Sequence, residues 1–131
     1  MERALELLSA AARQDPETRA QVVVRDGAMT SLSFYGPVAG ASGAWRIGLL
    51  LLVPRAEPRT ADRAMLNAVI DDARDAGARL LLAELPADAV LGRTLSLLRA
   101  NGFKQEARIP DFFRQGVALL FLRRELERTI P

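Results

Sequence analysis

The chain has 131 residues, half of them hydrophobic and about a quarter charged, and its 18 basic residues nearly balance 16 acidic ones. This length and composition are typical of one globular domain, which can bury roughly two thirds of its unfolded surface without a disulfide or a metal. Cysteine and histidine are both absent. Their absence excludes a disulfide framework, a thiol nucleophile, an imidazole base, a Ser-His-Asp hydrolase and Cys/His sites for zinc or haem.

The charge distribution and the apolar runs bear on possible partners. The basic residues are 17 arginines and Lys104, and the net charge is only +2. Nucleic-acid binding calls for a clustered basic face, and we interpret the one dense spot, Arg123-Arg124, as the charged end of a last strand. The longest apolar run, 47–53, is much shorter than the roughly 20 residues of a membrane span. Because the N-terminus also lacks the pattern of a secretory signal, we expect a cytoplasmic protein that binds neither nucleic acid nor membrane.

The first half of the chain predicts one helix and three strands. Leucine and alanine recur on one side of an amphipathic helix over 2–14. A β-hairpin follows, with strands at 21–25 and 29–35 around an Asp-Gly turn. A third strand covers 45–53. Because the second half of that strand is apolar on both faces, we expect it near the centre of a sheet.

The second half predicts two helices and three strands. Small and apolar residues recur at helical spacing from 60 to 76, and Gly77 follows as a C-terminal cap. A buried strand at 79–84 then implies a right-handed parallel crossover. The last helix is predicted to begin at an Asp88 N-cap and to end at Asn101-Gly102. Two closing strands follow at 104–109 and 117–123, joined by a loop at 110–116.

In their order and spacing these elements resemble the GNAT superfamily of acetyl-CoA-dependent N-acetyltransferases. The resemblance covers about residues 21–124 and rests on several short motifs together: Asp26-Gly27, Tyr35-Gly36-Pro37, Val53-Pro54, Arg63-Ala64-Met65-Leu66, Ala76-Gly77-Ala78-Arg79, Gly102-Phe103 and Ile109-Pro110-Asp111-Phe112. It implies a single GNAT-like α/β domain over 1–131, with a mixed central sheet and helices on both faces, shortened at its N-terminus. It also implies acetyl-CoA as the cofactor and no metal.

The stretch that matches the family's pyrophosphate loop departs from the family pattern. Members read Gln/Arg-x-x-Gly-x-Gly/Ala, whereas this chain has Glu57, Thr60 and Asp62 at the three signature positions. Two carboxylates repel a diphosphate by about 1 kcal/mol each, and a branched Cβ replaces a glycine that allows close approach. Threonine and aspartate are also preferred helix caps, so we expect the helix to satisfy its own N–H groups.

Other residues near this loop favour the opposite outcome. The resemblance places the cofactor contacts at Leu52, Arg59, Thr60, Ala61, Asp62 and Arg63. Arg55, Arg59 and Arg63 either clasp a phosphate or pair with nearby carboxylates as ordinary surface charges. The resemblance further implies a strand bulge near Leu51-Leu52, whose backbone N–H would contact the thioester carbonyl.

The acid and base positions are also altered. Many members carry a tyrosine general acid shortly before Gly-Phe, where this chain has Leu97-Leu98. The only tyrosine, Tyr35, is expected to pack or to cap a loop. The subgroup's Tyr-Arg-x-Gly-Asp-Asp segment becomes 113–118 without the hydroxyl or the carboxylates. Among the carboxylates that remain (Glu84, Glu106 and Asp111), the candidate base is Glu84, at the end of its strand beside the expected cleft. The alternative is an edge carboxylate paired with an arginine such as Arg108 or Arg79.

Two functions follow from the resemblance. The leading one is a degenerate member with weak or absent acetyl-CoA binding and a binding or regulatory role toward a protein partner or a small molecule. The alternative is an active N-acetyltransferase that uses an arginine clasp and Glu84 as base on an unidentified amine. A homodimer is compatible with both, because an incomplete sheet leaves an edge or a face to be paired.

Overall fold

The computed structural model describes residues 17–52, 59–88 and 91–126, without the side chains of 59 and 60. Its elements are β1 (Arg19–Arg25), β2 (Ala28–Pro37), β3 (Ala44–Leu52), α1 (Arg59–Asp75), β4 (Leu80–Pro86), α2 (Gly92–Ala100), β5 (Lys104–Arg114) and β6 (Val117–Glu125). The helix predicted over 2–14 lies outside the described residues, as do Arg55 and Glu57.

The strands form one mixed sheet in the order β1-β2-β3-β4-β6-β5. All neighbours are antiparallel except β3 and β4, which are parallel and are connected through α1. The predicted Asp-Gly hairpin is confirmed: Asp26 and Gly27 join β1 to β2 with φ of 52° and 78°, as a two-residue turn with primed geometry requires. The third strand, β3, lies near the centre, also as predicted.

The core lies between the sheet and the helices. From α1, Met65, Leu66 and Val69 are buried against Tyr35 and Leu81 of the sheet, at spacings of three and four residues. One residue of α2, Leu98, is part of the same cluster together with Phe103. The two helices also contact each other at their N-terminal ends, as described below. This arrangement leaves the carboxyl ends of β3 and β4 beside the beginnings of both helices.

Two local predictions were wrong. The helix α2 begins after Leu91 without a side-chain cap, and the carboxylate of Asp88 instead accepts a hydrogen bond from Arg114 at 3.5 Å. The segment predicted as a loop over 110–116 largely continues β5, which pairs with β6 at Ile109 and again at Arg114. Between these two positions four residues of β5 face one of β6, so the strand bulges there rather than ending.

In the part of the chain that the structure describes, no helix has the length and apolar character needed to cross a membrane.

Candidate functional site: the gap between two central strands

The two parallel strands in the middle of the sheet separate along their length. Residues 44–47 of β3 pair with 80–83 of β4, and the pairing stops there. Both strands continue, because β3 stays paired with β2 as far as Leu52 and β4 with β6 as far as Pro86. Their facing edges over 48–52 and 84–86 therefore carry backbone groups with no partner in the neighbouring strand. A gap of this kind is where an extended ligand can take up backbone hydrogen bonds.

A β-bulge lies at the start of this gap. Tyr35 is opposite Ile47 and Phe34 is opposite Leu49, so Gly48 is the extra residue in β3. The predicted position of a bulge near Leu51-Leu52 is therefore wrong, since both of those residues pair regularly with β2. A bulge turns one strand against its neighbour, and here it coincides with the point where β3 leaves β4.

Glu84 is the first residue of β4 beyond the paired segment. Its side chain lies on the same sheet face as Arg46, with 3.8 Å between Oε1 and the arginine Nη1. Neither arginine named as its alternative partner takes this role, because Arg79 donates to the carbonyl of Ser42 and Arg108 lies out on β5. About a third of the Glu84 side chain is exposed. The structure thus places a solvent-accessible carboxylate beside the gap, with the guanidinium group of Arg46 as a distant ion-pair partner.

Asp62 occupies the first turn of α1, and it is buried. Its side chain is 5% exposed and forms an ion pair with Arg93 in the first turn of α2. Arg93 donates from Nε to Oδ2 at 3.0 Å and from Nη2 to the same oxygen. The carboxylate therefore links the beginnings of the two helices. The sequence predicts for this side chain the helix's own N–H groups, solvent or a nearby arginine (Arg55, Arg59 or Arg63). The observed partner Arg93 lies 31 residues away, and no local signal indicates it.

The other residues predicted to contact the cofactor differ in exposure and in position. Ala61 is buried and Arg63 is exposed. Leu52 ends β3 opposite Ser31 and packs partly against the core. The side chains of Arg59 and Thr60 lie outside the described set. Of the three arginines considered as a phosphate clasp, the structure describes the side chain of Arg63 alone, and it is exposed on α1.

The position of the family's general acid is apolar and closed. Leu98 is 1% exposed and belongs to the core, and Leu97 packs against it. Tyr35, the only tyrosine of the chain, does not replace it, because its hydroxyl is bonded to Asp72 and Gln21.

Tyr35 belongs to a polar network at the far end of α1. Its hydroxyl donates to Oδ2 of Asp72 at 2.6 Å and accepts from Gln21 at 3.1 Å, while Arg19 donates to Oδ1 of Asp72 at 2.8 Å. Burial, and next the hydrogen bond to the Asp72 carboxylate, raise the pKa of Tyr35 to about 12. The hydrogen bond from Tyr35 lowers the pKa of Asp72, aided by Arg19 and opposed by burial. The expectation that Tyr35 packs rather than catalyses agrees with its 2% exposure.

Among the described residues, no three side chains of the Asp, Glu, Cys or His types lie close enough to hold a metal ion.

Comparison with known proteins relates this geometry to solved structures. A GNAT-family protein from Desulfovibrio desulfuricans superposes with a TM-score of 0.83 at 25% identity, over 96% of this chain and 80% of its own. The ribosomal-protein-alanine N-acetyltransferase of Brucella melitensis gives 0.73 at 21% identity, over 95% and 78%. A Salmonella typhimurium acetyltransferase-type protein, solved with acetyl-CoA, gives 0.75 at 20%, over 98% and 76%.

No protein-family model and no curated protein sequence matches the chain. The likeness is therefore one of structure. The six-stranded mixed sheet and its two helices have the fold of the GNAT N-acetyltransferases, as the sequence predicted.

Proposed function

We propose that this protein is a binding protein with the GNAT fold. It retains the strand gap of the acetyltransferases and lacks their binding site for the cofactor phosphates. The observation that carries the proposal is the buried ion pair between Asp62 and Arg93 at the beginning of α1. In the family this helix start presents free N–H groups to a diphosphate, and a carboxylate there opposes the same charge. The residues present do not fit the phosphate end of acetyl-CoA.

The acid position supports the same conclusion independently. A thiolate leaving group needs a proton, and Leu98 cannot supply one from the core position that it occupies. Loss of the phosphate site lowers affinity, and loss of the acid lowers turnover, so the two changes together favour a binding or regulatory role. The ligand or partner of that role uses the gap without anchoring a diphosphate.

The test is a calorimetric titration of acetyl-CoA into the wild type and into the variant Glu57→Gln/Thr60→Gly/Asp62→Gly. We expect no saturable binding to the wild type up to millimolar ligand, and saturable binding by the variant with a Kd at least about tenfold below that limit, equivalent to about 1.4 kcal/mol. A thermal-shift series gives a second readout, since ligand at 100 times its Kd adds about 2.7 kcal/mol of stability. Micromolar binding by the wild type would overturn the proposal.

A pair of single substitutions separates the site from overall charge. Asp62→Asn removes one carboxylate at the ion pair but keeps an acceptor for Arg93, and Asp71→Asn removes one from the exposed face of the same helix. We expect only Asp62→Asn to increase acetyl-CoA affinity. Equal increases in both would mean that net charge, rather than the occupied helix start, weakens binding.

A second candidate function, an active N-acetyltransferase, is favoured by the bulge at Gly48 and by Glu84 beside the gap. In that case Glu84 takes the proton from an acceptor amine, and its loose contact with Arg46 leaves it free to do so. The prediction specific to this alternative is that purified protein acetylates a panel of amines, and that Glu84→Gln lowers kcat much more than KM. Absence of turnover with every amine would exclude it.

A second copy of the chain is the partner that we propose for the β5 edge of the sheet. Ile109, Phe112 and Phe113 are 41%, 56% and 48% exposed, and the two phenylalanine rings meet edge to face at 5.0 Å. The bulge that presents them is fastened by the amide of Gly116, which donates to Asp111 at 2.8 Å. A two-fold interface brings the same patch of both copies together, which an apolar patch tolerates and a patch of one charge does not.

Sedimentation analysis tests this dimer. We expect a concentration-dependent dimer in the wild type and a monomer in Phe112→Ser/Phe113→Ser. The matched control is Val24→Ser on the opposite sheet edge, where Val24 is 60% exposed. Loss of the dimer in the control alone would assign the interface to β1 instead, and a wild-type monomer at every concentration would reject it.

A further inference from the structure

A charged groove lies at the end of the molecule opposite the strand gap. It encloses about 660 Å³, and its charged lining residues are Arg74, Lys104, Arg123, Arg124, Glu106 and Glu125. They come from the last turn of α1, the beginning of β5 and the end of β6. Because Glu125 pairs with Leu80 at the start of β4, this groove is separated from the gap by the length of β4.

The groove is lined by more basic than acidic side chains. Arg123 lies 3.3 Å from Glu106 and 2.7 Å from Glu125, so one cation accounts for both carboxylates. Arg74 contacts Asp71, whereas Lys104 and Arg124 have no ion pair among the described residues. The groove therefore carries an excess of positive charge.

Two of the arginines that line the groove each have one guanidinium nitrogen with no acceptor in the described structure. Nε of Arg74 and Nη1 of Arg124 are buried without a hydrogen-bond partner. Arg124 is held in place at its other side, where Nε donates to the carbonyl of Asn101 at 2.8 Å. Buried donors on charged groups are normally satisfied, and planar guanidinium groups suit the oxygens of a phosphate.

We propose that this groove binds a phosphate monoester of a small polar molecule. Arg124, Arg74 and Lys104 supply donors and charge to the phosphate, and the nearby carboxylates of Glu106 and Glu125 accept from hydroxyl groups on the rest of the ligand. The volume exceeds that of a phosphate ion, which leaves room for the organic part. This site uses none of the residues proposed to act at the strand gap.

The experiment is an amide-resolved NMR titration with ribose 5-phosphate, inorganic phosphate and ribose. We expect saturable shifts of the Gly102 and Lys104 amides with ribose 5-phosphate, weaker binding of inorganic phosphate, and none of ribose. Arg124→Gln and Lys104→Gln should each weaken binding about tenfold, as expected for loss of a charge-assisted contact. Lys104 is exposed, so its variant remains informative if Arg124→Gln fails to fold.

The matched control is Arg108→Gln, which removes the same charge from an exposed position on the same strand outside the groove. It should leave the affinity unchanged within about twofold, because only contact residues contribute strongly. Equal weakening by Arg108→Gln, or shifts that do not saturate, would overturn the site. Equal affinities for inorganic phosphate and ribose 5-phosphate would overturn the assignment to a monoester. None of these outcomes depends on whether acetyl-CoA binds.

Discussion

Helix α1 carries one aspartate near each end, Asp62 buried and Asp72 32% exposed at its side chain, and the two make different connections. Asp72 ties the helix to the sheet through Tyr35 and Arg19, at 2.6 and 2.8 Å. Asp62 ties it to α2 through Arg93. The first contact joins the end of the helix to β2 and β1, and the second joins its start to the start of α2.

The two ends therefore enter the proposed function differently. At the Asp72 end, a hydrogen-bonded network of several side chains joins the helix to the sheet. At the Asp62 end, we propose that the charge pair takes the place that the family leaves open for a ligand.

The largest effect on stability is expected at the Asp72 end of α1, where alkaline pH should destabilise the folded protein. The pKa of Tyr35 is raised to about 12 from an ordinary value of 10. A raised pKa means that the stabilisation is complete below pH 10 and is lost as the pH rises toward 12, by on the order of 2–3 kcal/mol. Because Tyr35 is the only tyrosine, absorbance at the tyrosinate band follows it directly. A transition near pH 10 in the folded protein would contradict the network.

The substitution Tyr35→Phe should be almost as costly at neutral pH. It removes the donor to a carboxylate in a buried position, and we expect a loss of about 2 kcal/mol in the free energy of unfolding by urea. Combined with Glu57→Gln/Thr60→Gly/Asp62→Gly, it should leave the acetyl-CoA affinity of that variant unchanged, because the Tyr35 hydroxyl bonds to Gln21 of β1 and to Asp72 near the opposite end of α1. A shift in ligand affinity would mean that the two ends of α1 are coupled.

Double-mutant cycles should rank the two ion pairs. With Asp62→Asn and Arg93→Gln we expect a coupling of about 1 kcal/mol, because one partner is nearly fully buried. The pair of Asp72 with Arg19 is more exposed, and Asp72→Asn with Arg19→Gln should give about 0.5 kcal/mol. Reversal of this order would show that Asp62 does not hold the helices together.

The smallest effect is expected at the strand gap itself. Arg46 and Glu84 are 3.8 Å apart and substantially exposed, so Glu84→Gln should change the free energy of unfolding by less than about 0.5 kcal/mol. A larger loss in thermal denaturation would identify Glu84 as part of the scaffold, and its candidacy as a base would then weaken.

Much of the fold was predictable because its signals are local. The Asp-Gly turn, the apolar periodicity of α1 and the two-sided apolar strand β3 each predicted their element within a few residues. The errors have physical causes. Asp88 was predicted as a cap, whereas its carboxylate contacts Arg114 from a distant strand. The segment 110–116 has the composition of a loop, yet pairing with β6 resumes at Arg114 and keeps it extended.

The sequence by itself determined the order of the described elements, the likeness to the GNAT fold and the residues that stand where the family pattern has the phosphate glycines and the tyrosine, since these depend on residue identity and spacing along the chain. The tertiary structure alone decided that the bulge lies at Gly48, that Glu84 meets Arg46 and that Asp62 is paired with Arg93. Such contacts join residues far apart in the chain, and no local propensity specifies them. They arise only when the sheet and the two helices pack together.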